Sequence, residues 1–160
     1  MKPTDAPAGD GQPGTGEIAD DDWVTATTGR GGFRTDVTIG ARVVVADEPA
    51  DAGGTEAGPT PYEYLLVALA SCTAMTLRMY ASRKEWPLER AIVRLRDTPH
   101  SHAVDCEHCE TRPVGLRRLD RKVELDGALT DEQRARLMII ADRCPVKQTL
   151  TRGIEIADVG

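Results

Sequence analysis

The sequence predicts an α+β domain in which short antiparallel strands surround a long apolar helix. Three observations carry that expectation. Segments alternating between apolar and polar side chains recur within residues 23–45, 90–96 and 116–125, the period of a strand with one wet face. Between them, residues 64–77 run for fourteen positions without a charge, directly behind a strong helix start. A second capped helical segment begins at Thr130. The 160 residues suit one domain and can bury a core without disulfides or metals. Hydrophobic residues are 40% of the chain and aromatic ones 4%, so the core must be aliphatic.

Residues 1–22 hold Gly, Pro, Asp and Ala with almost no large apolar side chain. Such a segment cannot offset its ordering entropy by burial, so it reads as a disordered tail, with the domain at residues 23–160. Strands are expected at 23–27, 33–39 and 41–45, with a Gly-rich turn around Arg30 and a bend at Gly40. A loop follows to Thr60, which caps the long helix: Pro61 takes the first helical position and Glu63 stands where a capping box needs it. A helix apolar on every side should be buried on every side, either wrapped by sheet or shared between two subunits. It should stop before Trp86-Pro87. Strands at 90–96 and 116–125 flank an irregular segment. Thr130 and Gln133 box another helix running to about residue 143, and Cys144-Pro145 breaks it. Pro145 opens a short helix over 146–151, and residues 154–156 should form a last strand. No internal repeat is present.

The net charge of −6 argues against nucleic acid, whose phosphates need a clustered positive surface. No membrane span is expected, because the uncharged run is too short and too well capped. The N-terminus has no apolar core of the signal-peptide kind, which points to the cytoplasm. In that compartment cysteines are more often catalytic or metal-binding than structural.

Four cysteines are present: Cys72, Cys106, Cys109 and Cys144. Cys72 sits within the apolar helix, where a cysteine is ordinarily a small core residue. Acting as a nucleophile requires something that stabilises its thiolate. Being mid-helix it cannot use its own helix N-terminus, so a cation must come from elsewhere. Arg30, between Gly29 and Gly31, is a candidate, with a solvated turn residue as the plain alternative. Cys144 stands at a helix start, where unpaired N–H groups favour a thiolate and Lys147 adds charge. Two such thiols could form a peroxidatic and resolving pair, the first oxidised to sulfenic acid and the second condensing with it to a disulfide.

The segments Gly58-Pro59-Thr60-Pro61-Tyr62-Glu63-Tyr64-Leu65-Leu66, Ala70-Ser71-Cys72-Thr73-Ala74 and Ala141-Asp142-Arg143-Cys144-Pro145-Val146 resemble the OsmC/Ohr family of osmotically inducible and organic hydroperoxide resistance proteins. The segment from Val24 to Arg30 looks like the family's arginine-bearing first strand and turn. The resemblance implies an OsmC-like fold, antiparallel sheets around long central helices, in an intertwined homodimer. It implies that Cys72 is the peroxidatic thiol and Cys144 the resolving one, with Arg30 activating Cys72. It also implies an organic hydroperoxide as substrate, no required cofactor, and a lipoyl or thioredoxin-like dithiol as reductant. One position departs: where the family's peroxidases carry their glutamate this chain has Tyr62, and the nearest carboxylate is Glu63. Glu63 also has a plain role as the capping partner of Thr60. Lying nine residues from Cys72 on a helix, about 13 Å along its axis, it could join Arg30 and Cys72 only from a second subunit.

The insert His100-Ser101-His102-Ala103-Val104-Asp105-Cys106-Glu107-His108-Cys109-Glu110 resembles a less characterised branch of the family with an Asp-Cys-x-x-Cys-Glu segment. His102, Cys106 and Cys109 offer ligands that suit zinc. A local redox dithiol and an ordinary loop are the other readings. The expected function is therefore a thiol peroxidase. The alternative is a non-catalytic stress-response dimer whose Cys106-x-x-Cys109 segment binds metal or senses redox state.

Overall fold

The computed structural model describes residues 23–99 and 117–158 and divides into two compact units, Met1–Gly58 and Pro59–Gly160. The tail expected at residues 1–22 lies outside the described residues.

In the first unit, β1 (Val24–Thr28), β2 (Thr35–Ile39) and β3 (Arg42–Ala46) form an antiparallel sheet in chain order, as the alternation predicts. Gly40 makes the β2–β3 bend at φ +55°. Phe33 and Arg34 fall in the β1–β2 connection rather than in the strand expected there. The chain leaving β3 is organised by Asp47, which is 2% exposed. Its carboxylate accepts from the backbone N–H groups of Glu48 (2.9 Å), Thr55 (3.0 Å) and Ala57 (3.1 Å) and from the Thr55 hydroxyl (2.6 Å). Inside this loop, after a 3₁₀ turn at Ala50–Ala52, a Cβ on Gly54 would stand 1.8 Å from the Glu48 carbonyl oxygen, so no other residue fits.

The second unit holds α1 (Pro61–Arg83), β4 (Arg90–Pro99), β5 (Arg117–Asp126), α2 (Asp131–Ala141) and α3 (Pro145–Arg152). Both expected capping boxes are present. Thr60 and Glu63 exchange side chain-to-backbone hydrogen bonds, and Thr130 and Gln133 do the same. β4 and β5 pair as an antiparallel ribbon from Arg90↔Asp126 to Pro99↔Arg117, three residues beyond the expected end of β4. The outer face supplies a reason for that extension. Arg96 and Thr98 of β4 both reach Asp120 at 3.1 Å, so polar pairing continues past the last apolar position.

The inner face of the ribbon meets the helices. Leu77 and Ala81 of α1, Leu137 and Ala141 of α2, and Leu88 and Leu129 form the core, with Ala91, Val123 and Leu125 packed against it. The aliphatic core expected from composition is observed, with one aromatic pair at its edge: Tyr80 and Trp86 meet edge to face at 5.6 Å.

Three expectations need correction. The long helix is not buried on every side within this chain: Leu69, Thr73, Leu77 and Ala81 form one buried stripe, while Val67, Met75 and Met79 are exposed. That helix has 23 residues and by length and composition alone suffices to cross a bilayer, contrary to the shorter run read from sequence. Residues 154–156 are not a strand. Ile156 is 89% exposed, and an isolated β-prone triplet with no ladder to join has nothing to offset its ordering entropy.

The end of α1 carries a local strain. Trp86 N–H bonds to the Ala81 carbonyl and Glu85 N–H to the Ser82 carbonyl, the Schellman pattern, which places Glu85 at φ +54°. Glu85→Gly should raise stability by about 1 kcal/mol, seen as a higher melting temperature. Asp47 yields a pH dependence. The Thr55 hydroxyl, then the Ala57 N–H, lower its carboxyl from 3.8 to about 2, against an opposing push from burial. A depressed folded-state value means that the stabilisation is complete above the unfolded value near 3.8 and is lost as pH falls toward 2. Thermal melts across that window should show wild type losing stability. Asp47→Asn, less stable above it, should lose less.

Candidate functional site

Local sequence sets the positions of the two thiols. Pro145 has no N–H to donate, and its ring would clash with the Ala141 carbonyl in a continuous helix, so α2 must end and a new helix must begin. Ala141 is indeed the last residue of α2, and Cys144 becomes the N-cap of α3, with its carbonyl accepting the Gln148 N–H at 3.0 Å. Cys144 is fully buried. Cys72 lies halfway along α1 beside the buried stripe and is half-buried. Both are free thiols, and they lie close enough for each to shift the acidity of the other.

The surroundings of the two sulfurs differ in a way that sorts their protons. Burial pushes the Cys144 thiol up. The Lys147 N–H, the Thr73 hydroxyl, the Cys72 thiol and the Val146 N–H together outweigh it, so Cys144 ionises below the ordinary value of a cysteine. Cys144 makes no side-chain capping bond, so these N–H groups act on the sulfur through their dipoles at the helix start. Burial also pushes Cys72 up, and the adjacent Cys144 adds to this. The Val146 N–H and the Thr76 hydroxyl oppose the shift without reversing it. The two thiols therefore titrate as a pair, in which the surroundings of Cys144 favour the thiolate and those of Cys72 the thiol.

Two threonines complete the site. Thr73, fully buried, gives its only proton to the Leu69 carbonyl at 2.8 Å and can turn it to Cys144 when that sulfur ionises. Thr76 stands the same way between the Cys72 carbonyl, at 2.8 Å, and the Cys72 sulfur. Beside them is a cavity of about 260 Å³ walled by Leu69, Leu95, Leu119 and Leu150, with Arg121, Lys147 and Thr151 completing its lining. Lys147 belongs both to this cavity and to the surroundings of Cys144, while neither thiol is among the lining residues. Of the aliphatic residues of α1 near Cys72, Leu69 lines this cavity. Leu77 is sealed in the core, and Met75 is 69% exposed.

The remaining expected residues fall elsewhere. Arg30 is exposed in the connection after β1, within the first unit. Glu63 is engaged as the capping partner of Thr60, accepting its N–H at 2.8 Å. His102, Cys106 and Cys109 lie outside the described residues. Among the described residues no group of three or more His, Cys, Asp or Glu is arranged to hold a metal. Sequence reasoning missed the help that Cys72 receives. It ruled out the N-terminus of the thiol's own helix, but the start of α3 supplies the N–H of Val146 instead. Thr73 and Thr76 were also missed. Their signal was available, as polar residues one and four positions after Cys72 in an otherwise apolar run.

Comparison with known proteins gives a consistent result. A family model described as OsmC-like protein matches residues 53–157. An uncharacterized protein of Mycobacterium tuberculosis is 31% identical over 133 residues, which covers 77% of this chain and 86% of the relative. Among solved structures, the OsmC-like protein from Mycoplasma pneumoniae superposes with a TM-score of 0.64 at 16% identity, covering 84% of this chain and 89% of that one. The organic hydroperoxide resistance protein OsmC from Legionella pneumophila gives 0.55 at 20% identity, covering 80% and 87%. These likenesses show the α+β fold that the sequence predicted.

Thr73→Val keeps the side-chain volume and removes the hydroxyl that faces Cys144. Its Cys144 thiol should titrate at higher pH than in wild type while the fold persists. The pH dependence of the cysteine Cβ signals in carbon-13-labelled protein checks this.

Proposed function

The chain belongs to the OsmC-like protein family, and we propose that within it this protein is a thiol peroxidase that reduces organic hydroperoxides through Cys72 and Cys144. The proximity of the two thiols, close enough to perturb each other, carries the reading, since a peroxidatic and a resolving thiol must meet to form a disulfide. The apolar cavity supports an organic substrate over hydrogen peroxide. The name of the Legionella protein, an organic hydroperoxide resistance protein, points the same way.

Accessibility and acidity divide the labour. Cys72 is the less buried sulfur and is assigned the meeting with peroxide. The Cys144 thiolate takes the Cys72 proton, and Cys72, now the thiolate, attacks the outer peroxide oxygen. The O–O bond breaks, and the leaving alkoxide takes that proton back from Cys144 to become the alcohol. Cys72 is then a sulfenic acid. The Cys144 thiolate attacks that sulfur, the S–O bond breaks, and hydroxide leaves as water after protonation. A dithiol reductant, lipoyl or thioredoxin-like, restores the pair. Its thiolate attacks the more accessible Cys72 sulfur, and Cys144 leaves as the better-stabilised thiolate. No cofactor enters these steps. Arg30 is the cation assigned to Cys72, with Glu63 of a second copy to order it.

A homodimer in the cytoplasm is part of this proposal. The exposed Val67, Met75 and Met79 of α1 support a second copy as their cover.

Cys72→Ser should abolish consumption of cumene hydroperoxide. Cys144→Ser should consume one equivalent per chain and stall as a sulfenic acid that a dimedone-type reagent traps. Sustained turnover by Cys144→Ser would remove the resolving role, and turnover by Cys72→Ser would overturn the reading.

A further inference from the structure

We propose that Arg121, a residue of β5 remote in sequence from both thiols, is a positioning residue for Cys144. The argument starts from the ribbon. Strand alternation puts Leu119, Arg121, Val123 and Leu125 on the inner face of β5, where Val123 and Leu125 pack on the core. Arg121 pairs directly with Leu95 in the ladder, so a guanidinium occupies a position at which the pattern calls for an apolar side chain. A charge set against its local pattern needs a compensating role.

The contacts of Arg121 show where it acts. Its side chain is 17% exposed. One guanidinium nitrogen donates to the Ala141 carbonyl at 2.9 Å and the other to the Asp142 carboxylate at 2.6 Å, so the planar fork grips the last residue of α2 and its C-cap together. The same Asp142 oxygen accepts from the Lys147 ammonium of α3. Lys147 in turn presents its backbone N–H to Cys144. A continuous chain of contacts thus runs from β5 through Arg121 to the end of α2, across Asp142 to Lys147, and back to the sulfur. It holds both sides of the three-residue turn that carries the thiol.

A plain helix cap would explain the bond to the Ala141 carbonyl. It does not explain the second arm, which ties the turn to α3. A lysine at this position would keep the charge but could not hold two acceptors in one plane. The ionisable groups around the turn are Cys72 from α1, Arg121 from β5, Asp142 and Arg143 within the turn itself, and Lys147 from α3. Lys147 and then Arg121 hold the Asp142 carboxyl below its usual range, so the clamp stays charged wherever the thiol titrates.

The role assigned to Arg121 rests on the reading of Cys144 as a working thiol, and the test separates the two. Arg121→Gln and Arg121→Lys are compared with wild type by pH titration of the Cys144 Cβ signal in carbon-13-labelled protein, with melting temperature recorded alongside. In Arg121→Gln the midpoint should rise, and the thiolate fraction at a fixed pH below it should fall about threefold or more, the order expected of one charge and its fixed dipoles at a partly exposed site. Arg121→Lys should recover part of that loss. An unchanged midpoint in Arg121→Gln overturns the proposal, whatever happens to the melting temperature. Should Arg121→Gln fail to fold, Arg121→Lys decides on the same readout: a midpoint at the wild-type value overturns the proposal and a raised one supports it. The titration uses no peroxide. A protein that consumes no cumene hydroperoxide but shows the Arg121 effect would refute the peroxidase reading and leave the positioning role standing.

Discussion

The placement of the two thiols depends on Pro145. A proline cannot continue α2, so the chain turns, and the residue before it becomes the cap of a new helix. That residue is Cys144. Its sulfur therefore stands at the one place in a helix where N–H groups lack carbonyl partners. The same turn leaves the Val146 N–H facing the Cys72 sulfur of α1. One backbone constraint thus brings two sulfurs together and polarises them, with the thiolate at Cys144 and the proton at Cys72. An ordinary helical residue in place of Pro145 would remove the reason for both.

Local signals in the sequence were read correctly because their physics is local. Thr60 with Glu63 and Thr130 with Gln133 satisfy N–H groups within one turn, so the letters suffice to place those helix starts. The alternation of β4 and β5 likewise marks which face is wet. The proximity of Cys72 and Cys144 is of another kind. It depends on how α3 packs against α1, and nothing near either cysteine encodes that distance. The misread segment at residues 154–156 fails for the same reason in reverse. Its residues favour a strand, but a strand exists only where another edge accepts it. The resemblance to a known family bridged what spacing could not, because it supplied the long-range arrangement directly.

α1 shows how one apolar sequence serves two ends. Its buried stripe, Leu69, Thr73, Leu77 and Ala81, repeats every fourth residue and packs with the core. Cys72 lies just beside that stripe, so its sulfur reaches α3 without being sealed in the core as Leu77 is. One position earlier, Ser71 is exposed, and its hydroxyl is spent on the Val67 carbonyl at 2.7 Å. A one-residue shift of the cysteine in either direction would therefore trade reactivity for burial or for solvent.

Three features of the second unit depart from simple packing rules, and all three converge on the same turn. Thr73 buries a hydroxyl in the core-facing stripe. Arg121 sets a guanidinium on the inner face of a strand. Asp142 gathers two cations on one carboxylate oxygen. Thr73 and Arg121 would each be a cost in a domain selected only to fold, since buried polar groups must be paired before they can be tolerated, whereas the exposed Asp142 supplies a partner. Here each is paired, and the pairings lead to Cys144 by different routes: Thr73 from α1, Arg121 from β5 and Lys147 from α3. A thiol that merely filled space would require none of them. Their convergence sets the surroundings of Cys144 apart from those of an ordinary buried cysteine.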